Sequence, residues 1–258
     1  MVKRALNVLI CALAIVMLSA IVMAVAPTGP ESITVKDSQR RSDFNSSAST
    51  QQAQAGNYTQ LEIATSSISD RWQAYFGNIT GTITLDDGNK NTIYDWSDPS
   101  TSVAGNIFAA NETVNGWGSI RCVNLTSNGA TNGSLWTTSN NDRGAGINQT
   151  LINLFYNATE TDVDNIQKTF NTSVSITVNG VNHADCPGTH TYTNNATLIT
   201  KWNQTLLTIN ATNTIIFATT VEQNTVGFDG RKWDFQMIVM ENGDNPATTP
   251  YSFYVELT

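Results

Sequence analysis

Charge is what this sequence has least of. Asp, Glu, Lys and Arg together supply 13% of its residues, about half the usual share of roughly 25%. The 13 Lys and Arg are outnumbered by 21 Asp and Glu, leaving a formal net charge of −8. That excludes the basic stripe a nucleic-acid backbone requires, so no nucleic-acid partner is expected. Histidine is down to 2 residues, and neither His183 nor His190 has a serine beside it in sequence. Gly116-Trp117-Gly118-Ser119 puts its second glycine directly before the serine, which is not the order of a nucleophile elbow. A catalytic triad therefore has little material. Cysteine is scarce too, at 3 residues. Cys11 falls in an apolar run near the N-terminus, which leaves Cys122 and Cys186 as a natural single disulfide in an oxidising compartment.

The polar surface must instead come from Asn, Thr and Ser, which suit strands and turns better than helices. Lys3 and Arg4 precede an apolar run from Val8 to Ala26. Charge followed by apolar length is an export signal, and the run is just long enough to span a bilayer. Both a cleaved signal peptide and a retained anchor fit residues 1–26: Ala24 is a small residue suited to a cleavage site, while Pro27 is an awkward first residue. Either way the chain beyond Pro27 lies outside the cell. Arg4-Ala5-Leu6 before the run also loosely resembles the processing site of archaeal type IV pilins. From 27 to 56 large apolar residues almost vanish among Ser, Gln and Thr, so this stretch reads as a flexible stalk that cannot offset its ordering entropy.

Residues 57–258 read as one β domain. Leu61 and Ile63 suggest a first strand. Ile79, Gly81, Ile83 and Leu85 alternate with polar residues, the period of a strand with one buried face. Asp86-Asp87-Gly88-Asn89-Lys90 supplies turn chemistry, and Thr92, Tyr94 and Trp96 resume the alternation, so this hairpin is expected to anchor the core. Further strands are expected at Val103 to Ala110, Trp117 to Val123, Val174 to Val178, Trp202 to Ile209, Thr214 to Val221, Trp233 to Val239 and Tyr251 to Leu257. Asn179-Gly180 marks a tight hairpin turn, and HADCPGTH (183–190) reads as a loop. Ile147, Leu151, Leu154 and Phe155, then Val163, Ile166 and Phe170, fall at helical spacing. Thr159 to Asp164 makes an acidic helix start, and Lys168 lies near the helix end. The fold class is mainly β: an antiparallel β-sandwich, jelly-roll or immunoglobulin-like, with one or two short helices around 147–170.

Asn-x-Ser/Thr triplets are dense. They begin at Asn45, Asn57, Asn78, Asn111, Asn124, Asn132, Asn148, Asn157, Asn171, Asn195, Asn203 and Asn210. In an exported chain each is an acceptor for bulky, solubilising sugar. His183, Asp185, Cys186 and His190 invite a metal reading, but their spacing matches no closed zinc pattern and Cys186 has Cys122 to pair with. Asp86, Asp87, Asn89 and Asn91 lack the spacing of a calcium loop. With Asp229-Gly230 and Asn242-Gly243-Asp244, they read as turns. Neither a metal nor another cofactor is expected.

WQAYFGNITGTITLDD with IYDW after it, GWGSIRCVN around Cys122, and VGFDGRKWDFQMIVMENG before YSFYVEL resemble segments of a group of exported archaeal surface proteins. The similarity covers most of 72–258. It implies an envelope location and carries no catalytic residue. The expectation is thus a non-enzymatic, glycosylated cell-surface protein of structural or adhesive role. Its expected partners are envelope glycans or sister surface proteins, and the membrane through the N-terminal run where that is retained. The alternatives are a secreted carbohydrate-active enzyme or carbohydrate-binding module, and a pilin-like filament subunit.

Overall fold

A computed structural model describes residues 26–40, 51–63, 68–96, 104–125, 143–192, 198–209, 213–243 and 248–258. The fold is mainly β, with two short helices and several antiparallel sheets. Its strands are β1 (Trp72–Gly77), β2 (Thr84–Asp86), β3 (Thr92–Asp95), β4 (Gly105–Ala110), β5 (Ile120–Asn124), β6 (Arg143–Asn148), β7 (Thr172–Val178), β8 (Val181–Tyr192), β9 (Leu198–Ile209), β10 (Ile215–Thr220), β11 (Thr225–Val226), β12 (Lys232–Trp233), β13 (Phe235–Met240) and β14 (Ser252–Leu257). Helices α1 (Gln149–Phe155) and α2 (Ile166–Thr169) sit where helical spacing placed them.

The centre is an eight-stranded sheet in the order β14-β4-β10-β9-β5-β6, with β8 joined to β9 and β7 to β8. Its pairs are antiparallel except β5 with β6. Both faces are covered, which is why β10 and the 202–209 part of β9 bury nearly every side chain. On one face Ile107, Ala109, Leu206 and Phe217 meet Met237 and Val239 of β13, the helix residues Ile152 and Ile166, and Phe170 just after α2. On the other, Phe108, Ile120, Leu207 and Ile216 meet Ile176 and Val178 of β7. Burial at this scale, about 25 cal/mol per Å² of apolar surface, is the main term holding the layers together. The β7–β8 hairpin is turned by Asn179 and Gly180, both at positive φ (49° and 73°), the backbone that Asn-Gly supplies at low steric cost.

Four sequence expectations are corrected. Leu61 and Ile63 form no strand and are 55% and 83% exposed. The 78–96 stretch is strand only at β2 and β3, and beyond Ile79, which packs against the core, it does not anchor it: Ile83, Leu85, Tyr94 and Trp96 are all exposed. The 183–190 stretch is strand, not loop. A bulge with Asp185 at φ 54° absorbs the irregularity, and Pro187 is seated where its carbonyl accepts from Thr205 Oγ1 at 2.9 Å. Residues 159–164 are turn. The helix starts only after Asn165, whose side chain accepts from Lys168 N, while Lys168 Nζ donates back to the Thr161 and Asp162 carbonyls. Val163 is accordingly 87% exposed.

The polar stretch after the apolar run is docked at its start. Pro27 is buried, and Thr28 exchanges backbone hydrogen bonds with Val255 of β14 at 3.0 and 2.8 Å. Residues 31–40 and 51–63 are exposed and carry no strand or helix.

Glu256 of β14 is buried at 2% exposure. Its Oε1 accepts from Asn179 N at 2.7 Å and its Oε2 from Asn106 Nδ2 at 3.2 Å. Burial raises its pKa above the ordinary 4.5, and the two donors only oppose the shift. The native state therefore binds this proton more tightly than the unfolded chain does. The stabilising contribution is present at low pH and is lost as pH rises from about 4.5 through the folded pKa. Glu256→Gln carries no proton to lose. The stability advantage of the natural chain over Glu256→Gln is expected to shrink on raising the pH across that window, as read from urea midpoints. A growing advantage would contradict the burial argument.

Candidate functional site

Three regions carry the polar and exposed apolar groups from which a function could be built. The first is an open hollow of about 460 Å³ beside the start of β1, lined by Asp70, Arg71, Asn157, Asp162 and Asp164 among others. Arg71 Nη1 donates to the Tyr156 and Asn157 carbonyls at 3.2 and 2.5 Å, satisfying acceptors that the end of α1 leaves unpaired. Its Nη2 lies 3.3 Å from the Asp162 carboxylate. Backbone and side-chain hydrogen bonds from Thr159, then the positive charges of Arg71 and Lys168, hold Asp162 below the usual carboxylate range. Asp164 accepts from the Ser69 hydroxyl and, through its carbonyl, from Trp72 Nε1 at 2.7 Å. Asp70 pairs with Arg40 at 2.6 Å. Glycoside hydrolysis needs one carboxyl with a raised pKa facing a second. Here the shift at Asp162 is downward and each carboxylate is engaged, so the arrangement works as a clasp between β1 and the helical segment.

The second region is the β2–β3 hairpin. Cross-strand pairing sets Leu85 opposite Tyr94, and the Trp96 N to Ile83 O bond of 2.9 Å continues that register. Ile83, Leu85, Tyr94 and Trp96 therefore share one face, exposed by 42%, 53%, 57% and 57%. The Tyr94 and Trp96 rings lie 4.8 Å apart. The turn beyond is self-contained: Asp87 Oδ1 accepts from Asn89 N and Asn91 N, and Oδ2 from Asn91 Nδ2, each at 2.8 Å. These bonds, led by the Asn91 side chain, lower the Asp87 pKa. Asp87 is spent on the turn, as the turn reading requires.

The third region is the turn at 227–233. Asp229 accepts from Arg231 N, Arg231 Nε and Trp233 Nε1 at 3.0, 2.6 and 2.9 Å. Arg231 lies 5.0 Å from the Trp233 ring centroid, and Phe76 stacks edge-on to Phe228 and Trp233 at 4.7 and 5.1 Å. This set closes one end of the β1–β13 pair.

Cys122 and Cys186 are bonded, with Cα atoms 5.1 Å apart and a sequence separation of 64. The bond commits the Cys186 sulfur. His183 is buried, Asp185 accepts from Ser173 Oγ at 3.1 Å, and among the described residues no three His, Cys, Asp or Glu side chains converge as a metal site. Among the described residues no helix is long and apolar enough to cross a membrane; the apolar run lies almost wholly outside them.

The sugar-acceptor asparagines divide by position. Asn57, Asn78, Asn157 and Asn171 are exposed. Asn78 directly follows β1, Asn157 turns at φ 52° after α1, and Asn171 directly precedes β7. Asn111 and Asn124 are half-buried, and Asn111 Oδ1 accepts from Ile215 N at 2.7 Å. Asn203 lies within β9, half-buried with its Oδ1 wholly covered, and Thr205 of its triplet is buried. Asn148 ends β6, while Asn45, Asn132, Asn195 and Asn210 fall outside the described residues.

No protein family, no curated protein and no solved structure matches this chain. The Arg71–Asp162 clasp was invisible to sequence reasoning, since nothing local ties residues so far apart. The hairpin did leave a signal: Ile93 directly beside Tyr94 breaks the apolar–polar alternation that a half-buried strand keeps.

Proposed function

We propose that this chain is an exported cell-surface protein of structural or adhesive role, with sugar on several of its Asn-x-Ser/Thr asparagines and envelope glycans or sister surface proteins as partners. The observation that carries the reading is the placement of Asn57, Asn78, Asn157 and Asn171. All four are exposed, and the last three stand at strand or helix ends, where a bulky sugar meets solvent. The disulfide supports an oxidising compartment, and the low charge with abundant Asn and Thr suits weak, multivalent contact.

Glycopeptide mapping of protein from its native source tests this. Occupancy is expected at Asn78, Asn157 and Asn171, with Asn203 bare because a sugar there would have to displace the strands around β9. Bare asparagines at all the exposed sites would remove the argument. A carbohydrate-binding module is the second reading, favoured by the exposed neighbouring rings of Tyr94 and Trp96. Retention of the protein on insoluble polysaccharide, lost in Trp96→Ala, would move the conclusion to it.

A further inference from the structure

The β2–β3 hairpin spends apolar surface on solvent. A two-stranded hairpin is marginal in water without a covered face, and this one shows Ile83, Leu85, Tyr94 and Trp96 on one side, with Ile93, 78% exposed, at the bulge beside them. What covers it can be read from where it is rooted. Thr28 pairs antiparallel with Val255, so the chain going back toward Ala26 runs along β14 toward Leu257. Leu257 is also where the hairpin begins. Gly81 passes so close that a Cβ there would lie 2.7 Å from Leu257 Cδ1. The end of the 8–26 apolar run and the base of the apolar hairpin therefore meet at one end of one edge strand.

We propose that the hairpin is a second membrane contact, with Trp96 and Tyr94 seated in the lipid interface next to the point where the N-terminal run leaves the bilayer. The partner is the lipid itself. Trp and Tyr, with an apolar body and a polar edge, favour that depth, and Ile83, Leu85 and Ile93 supply the acyl-facing area. A sugar platform would instead ring its aromatics with free hydrogen-bonding groups. Here the neighbours on the face are aliphatic, and the Asp87 carboxylate is consumed within its own turn. The docking of Pro27 and Thr28 leaves no free spacer between Ala26 and the domain, so a retained run ends close to the base of the hairpin. This inference rests on the run being retained, and is independent of whether any asparagine carries sugar.

The test uses the full chain reconstituted in phosphatidylcholine vesicles, part of whose lipid is brominated near the top of the acyl chains. Bromine quenches tryptophan only at short range. Of the 6 tryptophans, Trp96 is expected to provide the largest share of the quenching, so Trp96→Phe should lose at least half of it. Leu85→Asp, which keeps Trp96 but charges the face, should reduce quenching in the same direction. Because these side chains are exposed, neither variant should lower the melting temperature. Equal quenching in the natural chain and Trp96→Phe overturns the proposal. So does a dimer in detergent that Trp96→Phe dissociates, which would assign the face to a second copy, or a Trp96 emission shift produced by soluble polysaccharide and not by lipid. A native chain that begins after the apolar run also overturns it. Glycopeptide mapping reads none of these, so failure here and failure of the surface-glycoprotein reading are separable.

Discussion

Replacing Cys122 and Cys186 together by alanine is expected to destabilise the domain by about 4 kcal/mol, from the loop entropy that the bond removes from the unfolded chain. For a domain of this size that is a fall in melting temperature of roughly 8–16 °C. The loop closed is long, the cysteines standing 64 positions apart in sequence, and the bond ties β5 to β8. Cys122 belongs to β5 and Cys186 to β8, both of which pair with β9 in the central sheet, while Ile176 and Val178 of β7 pack over its face. Both are almost wholly buried, at 1% and 0% exposure. Alanine is the right replacement, since a serine hydroxyl there would be buried with its hydrogen bond to find. Thermal unfolding of the natural chain, the double variant and the reduced natural chain checks the expectation. An unchanged midpoint would mean that Ile176 and Val178 hold the covering hairpin by packing alone.

Phe217→Ala is expected to cost about 3–5 kcal/mol, the range for emptying a large aromatic site in a core. Phe217 is fully buried in β10. Its ring lies 6.3 Å from Trp72, 5.9 Å from Phe170 and 5.9 Å from Tyr251. One side chain thus touches the first strand, the end of the helical segment and the approach to the last strand. The surrounding groups have little freedom to collapse into the space. Trp72 is held by its bond to the Asp164 carbonyl, and Tyr251 by donating to the Met240 carbonyl at 2.6 Å while it accepts from Tyr156 at 2.5 Å. Leu154→Ala, at a side chain 75% exposed, should stay within about 0.5 kcal/mol. Urea unfolding of the pair separates site from residue size: a cost below about 1 kcal/mol for Phe217→Ala would show that the layers close over the gap.

How much of this was legible depended on what covers each strand. Alternation at Val174, Ile176 and Val178 predicted its strand correctly because one face of β7 is buried and the other wet, and Asn179-Gly180 named the turn outright. The same alternation held at Ile79, which packs against the core, and misled at Ile83 and Leu85, which are exposed. A period of two reports which residues share a face, and says nothing of whether any partner lies against it. The 183–190 stretch looked like loop because a proline and mixed polar residues interrupt it, yet a bulge at Asp185 carries the strand through. The cysteine pairing was readable by elimination. The Arg71 clasp was not, because its partners lie between the two helices, far along the chain from Arg71, and leave no periodic trace.

The seating of β14 between β4 and residue 28 sets an order of events. The chain is synthesised N-terminus first, so β4 and Thr28 exist long before their shared partner does. Until Ser252–Leu257 comes through, β4 presents an open row of backbone donors and acceptors along one edge. A copy truncated before its final strand would keep that edge for good, as a template for the strand of any neighbour that is still waiting for its own.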